Sequence, residues 1–326
     1  MPTRRLSVVV TRRLPAPVAA RMAELFDVAA APEGDAPMPR EAMLAALPGA
    51  DILVPTLTEP VDAATLAASD RLRLVANYGA GVDHIDVATA RQRGVLVSNT
   101  PGAQAEDTAD LAFALMLAVL RRMPEGMAEM QAGAWSGWAP EALLGARLRG
   151  RRLGILGMGR IGQAVAWRAR AFGMEVHYHN RRRLHPGLEA DATFHDSLDR
   201  LVGTADVLSV NCPHTPATFH LLNARRLRLM KPTAVVVNTS RGEVIDENAL
   251  TRMLRAGELA GAGLDVYERG RGVNPRLRAL PNVVLTPHMG SATREARLEM
   301  GERLLLNMQT FADGHRPPDL VVPSMV

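Results

Sequence analysis

Leu153-Gly154-Ile155-Leu156-Gly157-Met158-Gly159-Arg160-Ile161-Gly162 decides the fold. An apolar strand runs into G-x-G-x-x-G, and the glycines open an amphipathic helix with Ile161, Val165, Ala169 and Phe172 on one face. That is the context a dinucleotide-binding fingerprint requires. Gly157 permits the tight turn, Gly159 lets backbone approach a pyrophosphate, and Gly162 lets helix pack on strand. The pyrophosphate then meets the free N–H groups of the helix N-terminus.

The end of the next strand reports on the cofactor. NAD-specific sites place an acid about 20 residues on, bonded to the ribose 2′-hydroxyl. Here that place is Asn180, followed by Arg181, Arg182 and Arg183. A carboxylate repels a 2′-phosphate, whereas a neutral amide and guanidinium forks accommodate it. NADP(H) is therefore expected in preference to NAD(H), which stays as the less favoured alternative.

Apolar runs alternate with helical patterns on both sides of the fingerprint. Upstream, strands are expected at Leu6–Val10, Ile52–Pro55, Leu72–Ala76 and Val95–Val97, with helices near Val18–Phe26, Ala63–Ala68 and Val87–Arg93. Downstream, strands are expected at Glu175–Tyr178, Val207–Val210, Ala234–Asn238, Ala262–Val266 and Val283–Leu285. Such alternation means βα units and parallel sheets. A turn cluster, Asn99-Thr100-Pro101-Gly102, precedes a long apolar helix, Ala105–Arg122, read as the connector between two domains. A last helix, Arg294–Phe311, is expected to return to the first domain.

Three polar clusters fall where strands should end: Arg241 in Asn238-Thr239-Ser240-Arg241-Gly242, Asp265 in Gly263-Leu264-Asp265-Val266-Tyr267, and His288 in Thr286-Pro287-His288. Ligands of open parallel sheets bind beyond the carboxyl ends of strands. Reducing a carbonyl needs a cationic clamp and a proton donor. Arg241 suits the first role and His288 the second.

Composition narrows the class. The 326 residues, 47% apolar and 22% charged, are ordinary for two globular domains. The pI near 9.9 suggests nucleic acid, but aromatics for base stacking make up only 4% of the chain, so no nucleic-acid partner is expected. The single cysteine, Cys212, excludes an internal disulfide and fits a reducing, cytoplasmic setting. The longest apolar run, Leu111–Leu120, is about half a membrane span, so no membrane association is expected. His177 and His179 point the same way on a strand, yet no third ligand is evident and no metal is expected.

At this point the chain resembles a known family, the D-specific 2-hydroxyacid dehydrogenases, over nearly its whole length. The resemblance rests on Asn77-Tyr78-Gly79-Ala80-Gly81-Val82-Asp83-His84-Ile85-Asp86, on Asn99-Thr100-Pro101-Gly102, and on the glycine fingerprint. It continues through Asn211-Cys212-Pro213-His214-Thr215-Pro216, the Arg241 motif, Gly263–Tyr267 and Pro287-His288-Met289-Gly290-Ser291. Within the family the chain is most similar to glyoxylate/hydroxypyruvate reductases. The segment Ala134-Trp135-Ser136-Gly137-Trp138-Ala139-Pro140 resembles a loop that in those enzymes reaches the partner subunit's active site.

The resemblance implies an α/β chain of two domains: a Rossmann-type doubly wound parallel sheet at 103–290, and a flavodoxin-like substrate domain built from 1–102 and 291–326. It implies a homodimer joined through the cofactor domain. It places the substrate carboxylate on the backbone amides of Ala80 and Gly81 beside Arg241, with Trp138 at the substrate. Thr108, Arg160, Ile161, Cys212, Pro213, Thr239, Asp265 and Gly290 map onto cofactor-contacting positions. The expected reaction is NADPH-dependent reduction of a small 2-oxo acid, glyoxylate or hydroxypyruvate, to the D-2-hydroxy acid. The alternatives are another 2-hydroxy acid or a weakened, nucleotide-sensing relative. Domain closure is expected to exclude water, with hinges near Pro101–Ala103 and Gly290–Ala292.

One departure stands out. The family pattern Asp-Val-x-x-x-Glu-Pro carries a glutamate paired to the catalytic histidine. Here the run is Asp265-Val266-Tyr267-Glu268-Arg269-Gly270-Arg271, so Gly270 replaces the glutamate and Arg271 the proline. Glu268 would need a rearranged loop to substitute. A paired carboxylate raises an imidazole's pKa, so turnover should fall off earlier as pH rises.

Overall fold

The computed structural model describes residues 5–270 and 272–322; Arg271 lies outside them. Two compact units result, residues 5–104 with 292–322, and Ala105–Ser291.

The first unit holds five parallel strands, β1 (Ser7–Val10), β2 (Asp27–Ala30), β3 (Ile52–Val54), β4 (Leu74–Ala76) and β5 (Leu96–Ser98), in the order β2-β1-β3-β4-β5. This is the flavodoxin-like order. Val8, Val9, Ile52, Leu53, Leu74 and Val75 are all fully buried, as strands covered on both faces require. β2 escapes the sequence reading because Asp-Val-Ala-Ala has little β propensity and lies at the edge beside β1. The helix Arg294–Ala312 packs on the helix Ala16–Leu25 and on β4, within this unit.

The second unit holds seven parallel strands: β6 (Arg152–Leu156), β7 (Glu175–His179), β8 (Thr193–Phe194), β9 (Val207–Val210), β10 (Val235–Asn238), β11 (Gly261–Leu264) and β12 (Val283–Leu285). Their order is β12-β11-β10-β9-β6-β7-β8, so the winding reverses between β6 and β9. That reversal is the topological switch point of a doubly wound sheet, where ligands bind. The helix Ala105–Leu120 lies on β10 and β11, and a Cβ on Gly263 would come within 2.8 Å of the Leu115 Cβ. Glycine is what lets this helix approach the sheet.

Two expectations need correction. The long helix ends at Leu120, not Arg122, because Arg122 adopts φ 52° and starts a second helix, Met123–Gln131. Phe172 is the C-cap of the fingerprint helix rather than part of its buried face. It is 43% exposed and stacks on Phe113 at 5.1 Å, while Val165 and Ala169 are fully buried.

Candidate active site

The carboxyl ends of the second sheet carry most residues of chemical interest: Gly157 after β6, Asn180 after β7, Cys212 after β9, Thr239 and Arg241 after β10, Asp265 after β11, and His288 after β12. Gly157 has φ +92°, and a Cβ there would lie 2.8 Å from the backbone N of Cys212. Only glycine fits this turn at the switch point. The helix Arg160–Ala171 follows, and its first N–H groups have no intrahelical acceptor. Gly159 faces open space.

Asn180 has a role the spacing did not reveal. Its Oδ1 accepts a 2.7 Å hydrogen bond from the Met158 N–H, bracing the glycine turn. The arginine run divides. Arg183 is committed to Glu189, with Nε–Oε1 2.9 Å and Nη2–Oε2 3.0 Å, and this pairing holds the Glu189 carboxyl below its usual range. Arg181 and Arg182 are exposed and have no side-chain partner among the described residues.

A dinucleotide fits these residues. The buried Thr239 Oγ1 and Asn211 Oδ1 have no hydrogen-bond partner among the described residues, so polar groups able to bond a ligand lie beyond β9 and β10. Thr108 donates from Oγ1 to the Gly290 carbonyl at 3.2 Å.

Arg241 leaves β10 on extended backbone, φ −141°. Its carbonyl accepts from Asn238 Nδ2 at 2.9 Å, and its Nη1 donates to the Ser240 carbonyl at 2.8 Å. His288 is exposed at the end of β12 with φ 56°, a left-handed conformation unusual for a residue with a side chain. Asp265, 1% exposed, fixes the loop that carries it. Its Oδ1 accepts from Thr286 Oγ1 at 2.6 Å and Met289 N at 2.8 Å, and its Oδ2 from Gly290 N at 2.9 Å. The Tyr267 hydroxyl adds a 2.7 Å bond to the Thr286 carbonyl, and burial pushes its pKa up to about 12.

Glu268 does not take the place of the missing glutamate. Its Oε1 accepts from His220 Nε2 at 2.8 Å, in the tautomer or charge state that protonates Nε2, and its Oε2 from Glu247 N at 3.2 Å. Buried Glu247 has its pKa raised, chiefly by desolvation, with the Glu268 charge adding to the rise. Gly270 sits at φ +59° with open space around its Cβ position.

The loop after β4, in the first unit, is shaped for an anion. Asn77 is fully buried and donates from Nδ2 to the carbonyls of Gly79 and Gly81, each at 2.9 Å. Asn99 Nδ2 binds the Ala80 carbonyl at 2.7 Å. With the carbonyls taken, the N–H groups of Ala80 and Gly81 have no acceptor among the described residues. Adjacent free amides of this kind bind carboxylates.

Two peripheral features are also resolved. His177 Nδ1 lies 3.0 Å from His195 Nε2, and burial lowers the pKa of both. Among the described residues no group of three potential ligands could hold a metal. Cys212 is buried, which pushes its thiol pKa up to about 12. No helix among the described residues is long and apolar enough to cross a membrane. Trp138 stands apart, 84% exposed.

Comparison with known proteins now decides the family. Residues 113–290 match the model of the D-isomer specific 2-hydroxyacid dehydrogenase, NAD binding domain. The chain belongs to the D-isomer specific 2-hydroxyacid dehydrogenases. It is 42% identical over 318 residues to a glyoxylate reductase of Thermococcus litoralis, covering 96% of each chain. A glyoxylate reductase structure from Paecilomyes thermophila superposes with a TM-score of 0.90 at 34% identity, covering 100% of both chains. An NADPH-dependent glyoxylate/hydroxypyruvate reductase from Sinorhizobium meliloti, in complex with NADP and malonate, gives 0.89 at 31% identity over 98% of both.

The dehydrogenase is thus an NAD(P)-linked oxidoreductase acting between 2-oxo and 2-hydroxy acids. Asn77, Asn99 and His220 organise the loops, a role that the motifs containing Asn77 and Asn99 do not announce and that no sequence signal gave to His220. Asn99 and His220 find their partners far along the chain, at Ala80 and Glu268, whereas Asn77 bonds the loop that directly follows it.

Proposed function

We propose that this dehydrogenase uses NADPH to reduce glyoxylate and hydroxypyruvate to the D-2-hydroxy acid. The observation that carries the cofactor reading is Asn180, which braces the glycine turn where an acid would repel a 2′-phosphate, with Arg181 and Arg182 beside it unpaired. The NADP complex of the Sinorhizobium meliloti relative supports it.

In this reading the amides of Ala80 and Gly81 and the guanidinium of Arg241 hold the substrate carboxylate, and Arg241 also polarises the 2-oxo group. When bound, the nicotinamide supplies the hydride received by C2. His288 gives its proton to the developing alkoxide oxygen, so oxo acid, NADPH and one proton become hydroxy acid and NADP+. Thr108, Gly157, Gly159, Arg160, Ile161, Gly162, Cys212, Pro213, Thr239, Asp265 and Gly290 form the cofactor bed. Exposed Met127, Met130, Trp135 and Trp138 supply the apolar surface of a homodimer, with Trp138 at the partner's substrate site.

Kinetics of His288→Gln and Arg241→Gln test the assignment. Loss of the proton donor should lower kcat by about 10²–10⁴-fold. Loss of the guanidinium should raise KM for the oxo acid and leave NADPH affinity unchanged. Near-normal turnover by His288→Gln would refute the mechanism. A nucleotide-sensing role is the second reading, favoured by Gly270 in place of the histidine's usual partner.

A further inference from the structure

A closed ring of contacts surrounds the turn that follows Arg241. The His220 N–H donates to the Glu243 carbonyl at 2.8 Å, and the Leu222 N–H to the Val244 carbonyl at 3.0 Å. On the other side Gly242 lies against the Tyr267–Glu268 peptide so closely that any Cβ would overlap it. The ring shuts where His220 Nε2 meets Glu268 Oε1 at 2.8 Å. Glu268 is itself fixed by reciprocal bonds with Glu247: its Oε2 accepts from Glu247 N at 3.2 Å, and its N–H donates to Glu247 Oε2 at 3.1 Å.

His220 is held in place by more than this bond. Its φ is 46°, a backbone disfavoured for a residue with a side chain, and its ring stacks on Phe219 at 4.0 Å. A strained residue whose side chain and backbone both brace one turn is placed by that turn's requirements.

We infer that His220 and Glu268 are positioning residues for Arg241, fixing the Gly242–Val244 turn and so the direction in which the guanidinium leaves β10. The inference rests on the reading of Arg241 as the carboxylate-binding group. The arginine is a long lever, so a slight pivot at Gly242 becomes a large displacement at its tip. A misplacement of about 1 Å at a reacting group can cost about 100-fold in rate.

The test compares His220→Ala with His220→Gln in the full chain, by steady-state kinetics and by oxamate binding to the enzyme–NADPH complex. Oxamate is an unreactive 2-oxo-acid analogue, so its affinity reads the grip on the carboxylate without turnover. His220→Ala should raise KM for glyoxylate and Kd for oxamate about tenfold and lower kcat as well, with NADPH affinity within about twofold. His220→Gln retains an N–H donor and should recover most of that loss. If His220→Ala fails to fold, Glu268→Leu, which keeps most of the volume and removes both acceptors, should give the same KM and Kd rise.

Unchanged KM and oxamate affinity in the variants would overturn the inference, since a merely structural pair lowers Tm alone. So would equal impairment of the Ala and Gln variants. Wild-type protein that binds oxamate yet turns over no oxo acid would refute the functional reading, and the oxamate arm would still decide the ring. Wild-type protein that does not bind oxamate would overturn the inference itself.

Discussion

Asp265 holds His288 in a left-handed backbone conformation. The His288 N–H donates to the Asp265 carbonyl at 3.0 Å, while the Asp265 carboxylate collects Thr286 Oγ1, Met289 N and Gly290 N from both sides of the histidine. His288 keeps φ 56° because its neighbours are tied down. Strain of this kind persists only where surrounding contacts over-determine it.

Asp265→Asn should therefore disturb the histidine. The amide brings an N–H2 against the N–H donors of this loop, so one bond becomes a clash. Loss of orientation should lower kcat by about 10–100-fold. Steady-state kinetics alongside a Tm measurement check this; unchanged kcat would mean the clamp is not needed for turnover.

Gly270→Glu should place a carboxylate at the position of the family's glutamate and raise the pKa of His288. The alkaline limb of kcat/KM should then move to higher pH, since in the proposed mechanism protonated His288 is the working form. At φ +59° a glutamate is strained by about 1–2 kcal/mol, so a modest fall in Tm should accompany the shift. Identical pH profiles for the two proteins would contradict the account.

Asn180→Asp keeps the oxygen that receives the Met158 N–H and adds a charge facing any 2′-phosphate. The ratio of kcat/KM for NADPH over NADH should fall by about tenfold or more, one or more charge-assisted contacts being worth that factor. Arg181→Ser with Arg182→Ser should move the ratio the same way. Arg183→Ser should leave the ratio alone and lower Tm, because Arg183 serves Glu189.

Much of this was legible in the sequence because it is local. The fingerprint, the strand-end positions of Arg241 and His288, and the β6–β12 alternation apart from the two-residue edge strand β8 all follow from short-range pattern. The overlooked parts are long-range. Nothing near Asp265 says that its carboxylate will bind residues 286, 289 and 290, and nothing near His220 points to Glu268. The edge strand β2 and the helix Met123–Gln131 were hidden for another reason. Asp-Val-Ala-Ala and Met-Pro-Glu-Gly-Met have weak intrinsic preferences, and their structure is set by what they pair with or cap.

Glu247 gives a pH signature of stability. Its folded pKa is raised, chiefly by burial, above the usual 4.5. The folded state therefore holds this proton more tightly than the unfolded chain does. Its stabilising contribution is complete below pH 4.5 and is lost as pH rises through the raised folded value. Glu247→Gln removes that loss, so its Tm relative to wild type should climb from about pH 4.5 towards neutrality. A Tm difference independent of pH would show that Glu247 ionises freely in the folded protein.

Cys212, with its thiol pushed up to about 12 and its side chain buried behind Gly157, should resist thiol reagents at pH 8. One thiol per chain should react in denaturant and essentially none in the native protein.

The most direct test of the central claim is nicotinamide absorbance decay with wild-type protein, glyoxylate or hydroxypyruvate, and NADPH or NADH. The account predicts turnover with both acids and a kcat/KM that favours NADPH. Tight NADPH binding without turnover of either acid would contradict it, and would leave a nucleotide-binding protein whose His288 no longer serves catalysis.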